Sequence, residues 1–106
     1  ESATALRHAK AIAEVDGVDA IFLGPSDLAA SMGLLGQQNH PTVVSAVKQV
    51  IKDVKAAGKV VGVNAFDPAQ ARDYLAAGAD FVNVGADVAL LARATEKLAA
   101  EFIPGA

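Results

Sequence analysis

Apolar residues recur along this chain at two alternating spacings, and the alternation predicts short strands separated by amphipathic helices. Three brief runs, Ala20-Ile21-Phe22-Leu23, Val60-Val61-Gly62-Val63-Asn64 and Phe81-Val82-Asn83-Val84, have the β-branched and aromatic character of strands covered on both faces. Gly62, inside the second, marks a close backbone approach or a slight distortion. Ahead of the first strand, Ser2 and Thr4 can cap a helix whose apolar positions are Ala5, Leu6, Ala9, Ile12 and Ala13, ending near Asp16-Gly17. His40-Pro41 opens a second helix, in which Val43, Val47, Val50, Ile51 and Val54 form one stripe while Lys48, Lys52 and Lys55 face away, up to Gly58. Asp67-Pro68 begins a third, with Ala71, Tyr74 and Leu75 on its inner side as far as Gly78. Asp87 can cap a last helix lined by Val88, Leu91, Leu98 and Phe102 before Pro104-Gly105. The segment from Asp27 to His40, with Gly33 and Gly36, reads as a long loop.

Three segments share one frame: a helix-closing glycine, a strand, a small residue and an aspartate. They run from Gly17 to Asp27, Gly58 to Asp67 and Gly78 to Asp87, and the small residues Gly24, Ala65 and Gly85 each lie seven positions after the glycine. The recurring needs of an αβ loop explain this more simply than duplication does. Strands alternating with helices imply parallel βαβ units with right-handed crossovers. Units of about 30 residues, eight times over, fill the roughly 250 residues of a (β/α)8 barrel. The fold class is therefore α/β, and residues 1–106 read as the carboxyl-terminal portion of such a barrel: about three βα units and the helix before them.

Composition narrows the function classes. The chain has 106 residues, is 53% hydrophobic and 20% charged, and carries a net charge of −3, so it is long enough for a core and lacks the basic footprint of a nucleic-acid binder. Zero cysteines exclude disulfides and thiolate metal sites. No apolar run approaches a membrane span and no signal-peptide pattern opens the sequence, so a cytoplasmic protein without membrane contact is expected.

The candidate chemistry sits in Gly24-Pro25-Ser26-Asp27-Leu28, directly after the first strand. In parallel sheets covered by helices, the loops leaving the carboxyl ends of strands hold the site, because the strands themselves are packed. A carboxylate there needs a positive partner. A hard divalent cation supplies one, since magnesium takes one or two carboxylates plus substrate oxygens and water. The plainer alternative is that Asp27 caps a helical turn at Leu28 to Ser31.

Glu1, the run Gly17-Val18-Asp19-Ala20-Ile21-Phe22-Leu23-Gly24-Pro25-Ser26-Asp27-Leu28, then Met32-Gly33, His40-Pro41, Gly78-Ala79-Asp80-Phe81-Val82-Asn83-Val84-Gly85 and Leu90-Leu91-Ala92-Arg93 closely resemble the HpcH/HpaI family of class II pyruvate aldolases. The resemblance covers essentially the whole chain. It implies reversible aldol cleavage of a 4-hydroxy-2-oxo acid to pyruvate and an aldehyde, and a divalent cation (Mg, Mn or Co) held by residues matching Glu1 and Asp27. It also implies that the backbone N–H groups of Ser26 and Asp27 meet the pyruvate carboxylate, with Pro25 setting the turn and Gly24 allowing close approach. Asn64 falls where relatives commonly carry an apolar residue near the aldehyde, so a hydroxylated aldehyde or a hydrogen bond to the loop is open there. The cation's expected role is Lewis-acid stabilisation of the enolate.

The family's histidine base and carboxylate-binding arginine belong to amino-terminal strands that these residues do not match, so the catalytic acid and base are unassigned. His8 and His40 read as structural or solvent-facing, and Arg7, Arg72 and Arg93 as helix-surface charges. Lys10, Lys48, Lys52, Lys55, Lys59 and Lys97 read likewise, which leaves no Schiff-base candidate. The chain by itself is expected to be inactive. Alternatives are a lyase acting on citryl or malyl thioesters, a phosphate site at Val84-Gly85-Ala86-Asp87, where Asp87 would repel the anion, and a noncatalytic assembly piece. The resemblance further implies a homo-oligomer docked through the last helix, with Leu91, Leu98 and Phe102.

Overall fold

The structure, a computed structural model, describes residues 1–105. Helices α1 (Ala3–Arg7) and α2 (Ala9–Ala13) lead into strand β1 (Ala20–Leu23), followed by α3 (Pro25–Ser31), α4 (Pro41–Ala56), β2 (Val60–Asn64), α5 (Pro68–Ala76), β3 (Phe81–Asn83) and α6 (Asp87–Phe102). The strands form one parallel sheet in the order β1-β2-β3, each crossover carrying helix on the way. This is the α/β architecture the alternating spacings predict.

The α4 stripe is the centre of the core. Val43, Val47, Val50, Ile51 and Val54 are all buried and pack with Val61 and Val63 of β2 and with Leu23, Leu28, Ala29 and Tyr74. Burying a side chain of this size contributes about 1.5–3 kcal/mol, so these residues hold the helix layer on the sheet. The lysines turn outward as the stripe requires, and two of them brace neighbouring units. Lys48 Nζ lies 2.8 Å from Asp73 of α5, and Lys55 Nζ lies 2.7 Å from Asp80, just before β3. The second pair also sets register, because Asp80 accepts from Val61 N at 2.9 Å while its own N–H donates to Val61 O at 2.8 Å.

The repeated frame marks helix closure. Gly17, Gly58 and Gly78 have φ values of 89°, 75° and 114°, the left-handed region where a side chain is disfavoured.

Several sequence expectations are corrected. The first helix is not continuous: Ser2 Oγ accepts from Ala5 N, but the backbone turns at His8 (φ −106°, ψ 5°) and Thr4 lies inside α1. The Asp27–His40 segment is not all loop, since α3 (Pro25–Ser31) runs through it as far as Ser31, with Gly24 at the N-cap position and Pro25 at the first turn, where a missing N–H costs nothing. Leu75 is exposed, so Tyr74 and Ala71 alone form the inner face of α5. Asp87 is the first residue of α6 and Ala86 its N-cap; Asp87 Oδ1 accepts from Val88 N at 2.8 Å. Asp67 caps α5 as expected, accepting from Ala69 N.

The two faces of the sheet differ. Strand alternation sends Val61, Val63 and Ala65 into the helix layer. Register then places Phe22, Gly62 and Phe81 at one level of the opposite face, with Asn64 and Asn83 one level further toward the carboxyl ends. Phe22 and Phe81 stack with centroids 5.7 Å apart, and a Cβ on Gly62 would come within 2.2 Å of the Phe81 ring. Gly62 is thus a close-approach glycine. This face is open, with Phe22 and Phe81 both nearly half exposed.

Candidate functional site

The carboxyl ends of the strands collect the residues singled out from the sequence. β1 ends at Leu23, and Gly24 hands the chain to α3. Ser26 and Asp27 are the second and third residues of that helix, so their N–H groups are among those a helix leaves without an intrahelical acceptor. Pro25 is buried while Ser26 and Asp27 are exposed, which fixes the turn and leaves the donors and the carboxylate accessible. Asp27 does not cap the helix; the N-cap is Gly24, and no side chain caps it. The plainer reading of Asp27 is therefore corrected.

Glu1 comes to the same place from another part of the chain. A Cβ built on Gly24 would meet Glu1 Cγ at 2.9 Å and Oε1 at 3.1 Å. Gly24 has a φ of −110°, a conformation open to any residue, so the glycine is needed here for space and not for backbone freedom. The amino-terminal segment is tied down by Ala3 N donating to Ser31 Oγ at the far end of α3, 3.0 Å away. Glu1 thus lies against the turn that presents Asp27. Among the described residues no three His, Cys, Asp or Glu side chains gather as a ligand set. Two carboxylates suit a hard cation that keeps water and substrate oxygens in its remaining positions, so the donor chemistry fits magnesium-like ions.

Two hollows flank the turn. An apolar groove of about 220 Å³ runs beneath Glu1 between the first two helices and β1, lined by Leu6, Ala9, Ile12, Phe22 and Leu28 among others. A polar cleft of about 100 Å³ lies on the other side, lined by Ser26, Gln38, Asn39, Asn64, Asp67 and Tyr74 among others. Tyr74 is fully buried and its hydroxyl has no protein partner. Burial, with the Asp73 charge nearby, pushes the phenol up to about 12, so it stays protonated and is a donor.

His40 and the arginines are occupied elsewhere or placed elsewhere. His40 Nδ1 accepts from Thr42 N at 3.1 Å as the N-cap of α4, and His8 sits in the break between α1 and α2. Arg7, Arg72 and Arg93 lie on α1, α5 and α6. At the start of α6 the Asp87 carboxylate already takes the Val88 N–H, so one donor is occupied and an acid stands where a phosphate would bind. Sequence reasoning did not single out Asn83 or the Tyr74 hydroxyl. Asn83 was visible as a polar residue at the end of an apolar run, but its partnership with Asn64 depends on register.

Comparison with known proteins identifies the family and the fold. The HpcH/HpaI aldolase/citrate lyase family profile matches residues 1–94. A hydroxypyruvate/pyruvate aldolase of Cupriavidus necator is 49% identical over 102 residues, which are 96% of this chain and 38% of that protein. A 2-keto-3-deoxy-L-rhamnonate aldolase of Klebsiella pneumoniae is 47% identical over the same length, again 38% of its own. The crystal structure of an HpcH/HpaI aldolase/citrate lyase family protein from Burkholderia cenocepacia superposes with a TM-score of 0.86 at 46% identity, covering 95% of this chain and 39% of the other. The chain thus spans well under half the length of these relatives, as a portion of a larger (β/α) fold does.

Proposed function

The chain belongs to the HpcH/HpaI aldolase/citrate lyase family, and from that premise we propose that the whole protein is a metal-dependent carbon–carbon lyase cleaving 4-hydroxy-2-oxo acids reversibly to pyruvate and an aldehyde. The observation that carries the reading is the approach of Glu1 to Gly24, which sets a second carboxylate beside the turn holding Asp27.

In this reading Glu1 and Asp27 hold a divalent cation (Mg, Mn or Co) through carboxylate oxygens. When bound, the cation supplies Lewis-acid stabilisation of negative charge at the 2-oxo oxygen, worth several kcal/mol. The free N–H groups of Ser26 and Asp27 receive the pyruvate carboxylate, and the buried Pro25 keeps them aimed. Gly24 leaves room for Glu1. Asn64 closes β2, and we assign the aldehyde portion to that strand end on the family resemblance. The acid–base group comes from residues other than the two histidines here, one of which already caps α4. The 106 residues alone are accordingly inactive, and residues 1–106 act as one part of a barrel domain. We further propose a cytoplasmic homo-oligomer docked through α6, without nucleic-acid or membrane partners. No helix among the described residues is long and apolar enough to cross a membrane.

A citryl or malyl thioester lyase would call for arginine-rich nucleotide contacts, and the three arginines lie on helices α1, α5 and α6. The test is pyruvate release from a 4-hydroxy-2-oxo acid by the whole protein. A chelator abolishes it, and Glu1→Gln and Asp27→Asn each lower it by at least about 100-fold, more than loss of a hydrogen bond that merely orients a metal ligand. Full activity in the chelator, or in both variants, would refute the assignment.

A further inference from the structure

We propose that Asn83, beside Asn64, is a specificity-determining residue that selects a hydroxyl-bearing aldehyde; this rests on the aldolase reading and names its substrate class. The two asparagines are register partners on adjacent parallel strands, which puts their backbones about 4.8 Å apart. Alternation from the buried Val61 and Val63 places both on the open face. Continuing the register of β1 with β2 puts Gly24, and with it Glu1, beside Asn64 at the same level. One level below lies the Phe22–Phe81 stack over Gly62. The open face therefore has an aromatic floor, an amide edge on β2 and β3, and a carboxylate at the end of β1.

The chemistry of that edge is selective. Each amide has a carbonyl acceptor and two N–H donors, so the pair can give and take hydrogen bonds with a hydroxyl group, which does both. Adjacent amides at a strand end otherwise lined by Phe22, Gly62 and Phe81 offer nothing to a methyl group except desolvation cost. A site built to bond a hydroxyl discriminates against the analogue lacking it far more strongly than an apolar pocket does.

The whole protein, with its metal, is tested with pyruvate and either glycolaldehyde or acetaldehyde, which differ by one hydroxyl. The wild-type protein favours glycolaldehyde in kcat/KM. Asn83→Leu lowers the glycolaldehyde-to-acetaldehyde ratio by at least about tenfold, and Asn83→Ser, which keeps a smaller polar group, lowers it less. A structural role alone would lower both substrates together and leave the ratio unmoved. An unmoved ratio in Asn83→Leu overturns the proposal, and if that variant does not fold, an unmoved ratio in Asn83→Ser does so. Metal-dependent exchange of the pyruvate methyl protons into D2O by the wild-type protein needs no aldehyde and tests the aldolase reading separately. Exchange with an unmoved ratio removes only this inference; absence of exchange removes both.

Discussion

Replacing Gly24 by alanine tests whether the space at this residue, and not its backbone freedom, is what the site requires. With φ at −110° and ψ at 87°, alanine fits the backbone without left-handed strain. Its Cβ would meet Glu1 Cγ at 2.9 Å and Oε1 at 3.1 Å, where ordinary contacts begin near 3.4 Å. The Glu1 side chain must then retreat by about 0.5 Å at Cγ and about 0.3 Å at Oε1. Because Glu1 is exposed and flexible, the move costs little folding energy, within about 0.5 kcal/mol as for other surface changes. A metal–oxygen distance, in contrast, tolerates only about 0.2 Å, and an error near 1 Å at a reacting centre costs about 100-fold. Gly24→Ala should therefore leave the urea midpoint nearly unchanged, weaken metal binding in a calorimetric titration by at least about tenfold, and lower turnover in step. Wild-type metal affinity in a folded Gly24→Ala protein would refute the argument, since Glu1 would then not be a ligand held against that turn.

Three further outcomes follow from the structure. Tyr74→Phe removes a buried hydroxyl that has no hydrogen-bond partner and so relieves a desolvation cost of about 1–3 kcal/mol; the variant should unfold at equal or higher denaturant concentration, and a clear loss of stability would show that the hydroxyl is bonded. Asp80 is held below the usual carboxylate range by the Lys55 ammonium and then by the Val61 N–H, so its contribution is present above the unfolded-state value of about 3.9 and is lost as pH falls through the lower folded value. Asp80→Asn should accordingly be less stable than wild type at pH 7, the two converging in strong acid; a gap of equal size at both ends of the titration would contradict this. On α6, Val88, Leu91, Leu98 and Phe102 are each more than half exposed at spacings that form one stripe. Leu91→Glu with Leu98→Glu should reduce the mass measured by sedimentation, and an unchanged assembly would remove α6 as the docking element.

Periodicity alone identified the strands and the α4 stripe, because burial on a regular element demands apolar residues at that element's own repeat. It also located the Gly24–Asp27 turn, since glycine and proline punctuate a chain locally. What it misjudged was local competition. The Asp27–His40 stretch reads as loop because the helix entering it is only seven residues long, and the first helix reads as continuous because a bend at His8 leaves the apolar spacing undisturbed. The meeting of Glu1 with Gly24 and the pairing of Asn64 with Asn83 were decided by tertiary structure alone. Both depend on how separate segments come together and on strand register, and a one-residue slip in pairing would send every side chain of a strand to the other face.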